Sequence, residues 1–181
     1  MATVVWRATV DDLHRVEGKA ELVGGELVLM HASGGWHGIA SKNILVSLDR
    51  HAKKIRSGFA FGDNIAFLCD LPARHSFSPD CAYYVGSPPD ADFLPMAPIF
   101  AVEVRGKEDY GSGAERRMSK KREDYFVAGT AVVWDVDPKT SEIRVYRPTN
   151  PEAPTIYGPG TQADAEPAVT GWTFPVDELL A

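Results

Sequence analysis

The sequence predicts an α/β (α+β) fold with a β-hairpin near its amino terminus, and three stretches carry that expectation. Two short runs, Ala20-Glu21-Leu22-Val23 and Glu26-Leu27-Val28-Leu29-Met30, flank Gly24-Gly25, a pair that accepts the positive φ of a tight hairpin turn. Ile39, Ala40, Asn43, Ile44, Ser47, Leu48, His51, Ala52 and Ile55 recur at helical spacing and predict a long helix ending before Gly58. An apolar run at 99–104, a helical stretch at 114–127 and a second apolar run at 131–136 read as strand, helix and strand, hence a right-handed crossover onto one sheet.

The remaining elements follow in order. Thr9 caps a short helix, Val10-Asp11-Asp12-Leu13, with acids in the first turn where the helix dipole favours them. Ser33-Gly34-Gly35-Trp36 is a loop before the long helix, whose other side carries Lys42, Asp49, Arg50, Lys53 and Lys54 and is wet. Residues 59–68 read as a strand pair or a bent strand broken at Gly62-Asp63-Asn64, and 81–85 as a short strand opening from Pro79-Asp80. The segment 86–98 holds Pro88, Pro89, Pro95 and Pro98 and is loop throughout. In the run 99–104 only Glu103 interrupts the apolar residues, the pattern of a central strand covered on both faces. A polar loop, 106–113, leads to the second helix, which stops near Gly129. After the strand at 131–136, Asp137-Pro138-Lys139-Thr140 turns the chain into 142–146, whose alternation marks a half-exposed antiparallel strand. Beyond Pro148 a stretch rich in Pro, Gly and Thr is expected to add a short strand and cover the sheet edge before a terminal helical turn at 176–180.

Length and composition set bounds. A chain of 181 residues, 44% hydrophobic, fits a single domain over 1–181 with a sizeable core. The formal charge of −6 is unlike a protein that holds nucleic acid through bulk charge, so any phosphate partner must be held locally. Basic residues do cluster at His51-Lys53-Lys54-Arg56 and at Arg116-Arg117-Lys120-Lys121-Arg122. Cys69 and Cys81 lack metal-finger spacing, and no apolar run approaches the roughly 18 to 20 residues that span a bilayer. A reduced, cytoplasmic, soluble protein with no membrane partner is the expectation.

The candidate chemistry lies between Ser78 and Lys121. Glu103, between Val102 and Val104, is costly to bury unless a metal ion or a lysine pairs with it. Phosphodiester hydrolysis needs an activated water, a countercharge for the developing negative charge and protonation of the leaving oxygen. Two carboxylates on neighbouring strands can hold a hard cation such as Mg²⁺, and a lysine beside them can position or deprotonate the water. Asp80, Glu103 and a lysine meet that demand by type.

The order Glu21-Leu22-Val23-Gly24-Gly25-Glu26-Leu27, His37, Ser78-Pro79-Asp80, Val102-Glu103-Val104-Arg105, Lys121-x-x-x-Tyr125, Ala128-Gly129-Thr130 and Val133-Trp134-Asp135-Val136-Asp137-Pro138 resembles the Uma family of restriction-endonuclease-like proteins. The resemblance covers about 16–148, leaves 149–181 as an extension, and implies the PD-(D/E)xK nuclease fold, a mixed sheet flanked by helices. It implies Asp80 and Glu103 as metal ligands for Mg²⁺ or Mn²⁺, with the carbonyl of Val104 as a third. The parent motif has a lysine two residues after the acid; here Arg105 stands there, and arginine stays protonated and cannot be a base. The resemblance instead implies Lys121, with Lys120 about 100° around the same helix.

Glu26 and His37 match two further polar positions of the pattern: Glu26 could orient a metal-bound water, and His37 could protonate a leaving group or touch phosphate. Arg105 could bind phosphate or neutralise Glu103, and Lys120 is a second substrate-binding candidate. Trp134 and Tyr125 read as core, Asp135 and Asp137 as turn or strand residues, and His31, His51, Asp109 and Glu115 receive no role. The implied activity is a metal-dependent endonuclease acting on DNA, with a homodimer expected; the competing expectation is an inactive binding or assembly module that kept the scaffold, its acids neutralised by Arg105 and Lys121.

Overall fold

Alternation with period two decides which side of the central sheet each residue faces, and the site follows from it. The structure, a computed structural model, describes residues 7–87, 90 and 92–181. Of the proline-rich loop expected at 86–98, Pro88, Pro89 and Ala91 lie outside the described residues.

The hairpin forms as expected. β1 (Ala20–Val23) pairs antiparallel with β2 (Glu26–Leu29), and Gly24 and Gly25 take φ of 62° and 81°, the left-handed pair that a two-residue hairpin turn requires. It joins β5 (Arg74–Phe77) and β4 (Phe67–Leu71) in a four-stranded sheet ordered β2-β1-β5-β4. A six-stranded sheet contains β3 (Phe59–Phe61), β6 (Cys81–Tyr84), β7 (Phe100–Val104), β8 (Val132–Asp137), β9 (Glu142–Arg147) and β10 (Asn150–Tyr157), ordered β10-β9-β8-β7-β6-β3. Only β7 and β8 run parallel, joined by α3 (Ser112–Val127), so the sheet is mixed and flanked by helices. α1 (Val10–Leu13) is capped by Thr9 as expected, and α2 (Gly35–Ile55) is the long helix.

Each face of the six-stranded sheet has its own core. Cys81, Tyr83, Phe100, Val102, Val104, Val132, Trp134 and Val136 pack against Ala40, Ile44, Leu48 and Ala52 of α2 and against Trp172 and Phe174 of the carboxy-terminal segment. The intervening residues, Ala82, Tyr84, Ala101 and Val133, face the other way, toward Tyr125 of α3 and Phe67 and Phe77 of the smaller sheet. Tyr125 stacks on Phe77 with ring centroids 4.0 Å apart. Glu103 and Asp135 continue this second set, which puts both on the α3 side.

Two expectations change. Residues 59–68 break at Gly62-Asp63-Asn64 as expected, with Asn64 at φ 62°, but the two strands do not pair with each other: β3 and β4 lie in different sheets, and β5, unforeseen, pairs with β4. The tail is more than an edge cover. β10 pairs with β9 at the sheet edge, whereas β11 (Gln162–Asp164) and β12 (Thr173–Pro175) carry Trp172 into the core, stacked 5.1 Å from Trp134.

A buried ionic chain joins the two sheets to α3. Glu21 of β1 accepts from the guanidinium of Arg74 on β5 and, at 2.9 Å, from the backbone N–H of Ser78. Arg74 Nε donates to Asp124 Oδ2 of α3 at 2.9 Å. Burial alone would raise the Glu21 carboxyl, but the Lys121 ammonium and Arg74 guanidinium outweigh it and hold the group below its ordinary 4.5. A depressed folded value means that the carboxylate contributes stability above pH 4.5, lost as pH falls through the folded value. Glu21→Gln is therefore expected to destabilise the chain by about 3 kcal/mol at neutral pH. Urea midpoints should show that gap narrowing below pH 4.5; a gap unchanged down to about pH 3 would contradict this account of Glu21.

Candidate active site

The side chains converge because four elements end at one place. Asp80 precedes β6, two residues before Ala82, and so lies on the α3 side; its backbone N–H donates to Val102 O at 3.0 Å and its Oδ2 accepts from the N–H of Val104 at 2.7 Å. Glu103 follows on β7, the strand paired with β6. Lys19 immediately precedes β1, and His37 stands in the first turn of α2. Lys121 comes from α3, four residues before Tyr125. These residues line a cleft of about 780 Å³, whose rim includes Met30 to Gly34 on one side and Gly106 to Asp109 on the other.

Every acid at the base of this cleft is met by a positive group. Lys19 Nζ donates to Asp80 Oδ1 at 2.6 Å and lies 2.7 Å from Asp63 Oδ1, while His37 Nε2 is 3.1 Å from Asp80 Oδ2. Asp80 is only 5% exposed. Burial opposes its ionisation, yet His37 and Lys19 outweigh that and lower its pKa; burial likewise opposes the imidazolium, but Asp80 raises His37 above its ordinary 6.5. Lys121 Nζ lies 2.8 Å from both Glu103 Oε2 and Glu21 Oε1, and the Tyr125 hydroxyl donates to Glu103 Oε1 at 2.7 Å. Burial disfavours the Lys121 ammonium, but these carboxylates raise its pKa above the ordinary lysine value. Glu103 moves upward as well: burial and the neighbouring Asp80 and Glu21 outweigh Lys121.

Asp80, Glu103, Lys121 and His37 thus share one cleft, and Val104 lines it. Glu26 does not reach it. In the hairpin register Glu21 faces Val28 and Val23 faces Glu26, so Glu26 is on the same side as Glu21 but displaced along the strand to the turn, where it is exposed. Lys120 points to solvent and pairs with Glu123 and Asp124 of its own helix. Arg105 neither pairs with Glu103 nor offers a free fork: Nε and Nη2 each donate to Asp135 at 2.7 Å, and Nη1 and Nη2 donate to Glu115. Strand alternation and the parallel register, which sets Asp135 beside Glu103, bring that acid within its reach.

Four members of the site escaped sequence reasoning. Glu21 carried the signal that exposed Glu103, an acid inside an apolar strand. The Tyr125 hydroxyl, Arg74 and Lys19 carried none, because their partners come from other elements.

The donor set is one that hard cations use. Asp80 and Glu103 offer carboxylate oxygens from adjacent strands, and Mg²⁺ is commonly held by one or two carboxylates with water and phosphate oxygens completing its shell. Among the described residues, however, no three His, Cys, Asp or Glu side chains converge around one point. The protein's own acids would supply part of a cation's shell, and Lys19 already occupies one oxygen of Asp80.

A solved structure from Anabaena variabilis, described as "a putative nuclease belonging to DUF820", is similar over 95% of this chain and 97% of that one, with a TM-score of 0.76 and 17% identity. That likeness shows a shared restriction-endonuclease-like fold. No curated protein matches the sequence. The family model described as "Putative restriction endonuclease", Uma2, matches residues 10–177, and a match of that extent, over the same strands and helices that build the cleft, places the chain in the Uma2 family.

Proposed function

We propose that the cleft hydrolyses DNA phosphodiester bonds with the help of Mg²⁺ or Mn²⁺. The observation that carries this reading is the pair Asp80 and Glu103, on adjacent strands, facing the Lys121 and Lys19 ammonium groups in one open cleft. A divalent cation at the two acids would supply Lewis-acid polarisation of the phosphate and acidify water.

The chain's own groups divide the remaining work. Lys121 stays protonated between two carboxylates, so its role is countercharge and positioning, and proton abstraction falls to another group. Glu103, with Oε1 held by the Tyr125 hydroxyl and Oε2 by Lys121, is a carboxylate of the cleft that can accept a proton from the attacking water. His37, whose imidazolium Asp80 favours, is the donor suited to the leaving oxygen. Purified protein with Mn²⁺ is expected to cleave supercoiled, linear or single-stranded DNA, and Asp80→Ala to lower the rate at least about a hundredfold. Equal cleavage by the variant, or none by either protein, ends this reading.

The ionic pairing also favours a second reading, an inactive scaffold that binds or assembles, because the acids are already neutralised from within. Metal titration separates the two. If the cleft takes Mn²⁺, saturation at about 100 times Kd should add about 2.7 kcal/mol and raise the Tm by several degrees. An unmoved Tm at millimolar Mn²⁺ favours the scaffold. A homodimer belongs to either reading, supported by β2, an edge strand that exposes Val28 and Leu29. Light scattering should then give twice the chain mass; a monomeric mass refutes the dimer.

A further inference from the structure

Helical periodicity sorts the basic run of α3. Arg117, Met118, Lys121, Arg122 and Tyr125 line the cleft, whereas Arg116 and Lys120 are exposed and outside its lining. Lys121 is fully engaged by Glu21 and Glu103. Arg122, the next residue, is different. Its side chain is only 11% exposed, yet Nε and Nη1 are buried without a hydrogen-bond partner.

What holds Arg122 in place is stacking and charge. Its guanidinium lies over the ring of Tyr146 on β9, 4.0 Å from the centroid. Nη1 is 3.6 Å from Asp135 Oδ2, too far for a hydrogen bond, and both oxygens of that carboxylate already accept from Arg105 at 2.7 Å. Buried guanidinium N–H groups are normally paired, and an exception in an open cleft calls for an acceptor from outside the chain. Asp135 is the register partner of Glu103 on the neighbouring strand, and Tyr146 lies on the strand beyond it, so Arg122 sits to the β9 side of the candidate catalytic acid.

We infer that Arg122, stacked on Tyr146, binds a backbone phosphate of the DNA strand beside the one that faces Asp80 and Glu103. Guanidinium is the side chain suited to phosphate, and Arg122 lines the cleft with hydrogen-bonding capacity that the chain itself leaves unused. The assignment also accounts for how a chain of net charge −6 could hold a polyanion, through cations gathered in one cleft. It rests on the proposed nuclease reading for its ligand and tests separately from it.

The test is binding of a fluorescein-labelled 12-base-pair duplex, by anisotropy in EDTA over a KCl series, to the wild type, Arg122→Gln and Arg122→Lys. One phosphate contact contributes about 0.9 to the slope of log K against log salt. R122Q should bind about tenfold more weakly at 0.1 M KCl with a slope shallower by about one, and R122K should keep the slope with a loss of about threefold. R122Q gives up the stack on Tyr146 and the 3.6 Å approach to Asp135, so its Tm should fall by a few degrees, whereas R122K, which keeps the charge, should stay closer to wild type. Wild-type affinity and slope in R122Q overturn the inference, as does absence of duplex binding by the wild type. A variant R122Q that fails to fold also overturns it, by showing that the guanidinium serves the core, and wild-type affinity in R122K would do so independently. Loss of Mn²⁺-dependent cleavage alone, with Arg122-dependent binding intact, removes the nuclease reading and leaves the phosphate site standing.

Discussion

The Lys121 ammonium, 2.8 Å from Glu21 Oε1 and 2.8 Å from Glu103 Oε2, is the interaction on which the architecture of the cleft depends. It joins α3 to β1 of the smaller sheet and to β7 of the larger one. Two buried carboxylates that close to each other repel and are poorly hydrated, so the two sheets can approach only with a cation between them. Arg74 extends the arrangement, carrying charge from Glu21 to Asp124 further along α3. The same ions that hold the sheets together also line the cleft.

That arrangement constrains how the site can work. An ammonium between two carboxylates holds its proton more tightly than a free lysine, which is why the proposed nuclease reading gives Lys121 an electrostatic part. Lys19 plays a matching part at Asp80, where it shares the carboxylate with His37 and the N–H of Val104. The cleft is thus balanced in charge before any ligand enters. Under the proposed nuclease reading, a divalent cation and an anionic phosphate arriving together would disturb that balance less than either alone.

Much of the fold was legible because its signals are local. Gly24-Gly25 required a hairpin turn, the stripe from Ile39 to Ile55 buried one side of α2, and the run 99–104 became the central strand β7. Asp80 and Glu103 were legible for a related reason: each acid interrupts or adjoins a run that must be buried, and such a group needs a partner. What the tail does was not legible, since Trp172 is placed by its stack on Trp134, a contact between residues far apart in the chain. Strand pattern puts Glu26 and Glu21 on one side of the hairpin, and only the position of α3 and β5 makes Glu21 the buried, paired one.

The sequence by itself determined the hairpin, the long helix and the strand-helix-strand order of β7, α3 and β8, and the alternation that sends Glu103 and Asp135 to one side of the sheet. Tertiary structure alone decided the partners. Arg105 is taken by Asp135 and Glu115, Lys121 is shared by Glu21 and Glu103, and Arg122 is left stacked on Tyr146 without an acceptor. The physical reason is that backbone periodicity fixes the direction of a side chain, whereas the charge it meets comes from another element, and which element that is depends on how the two sheets and α3 pack.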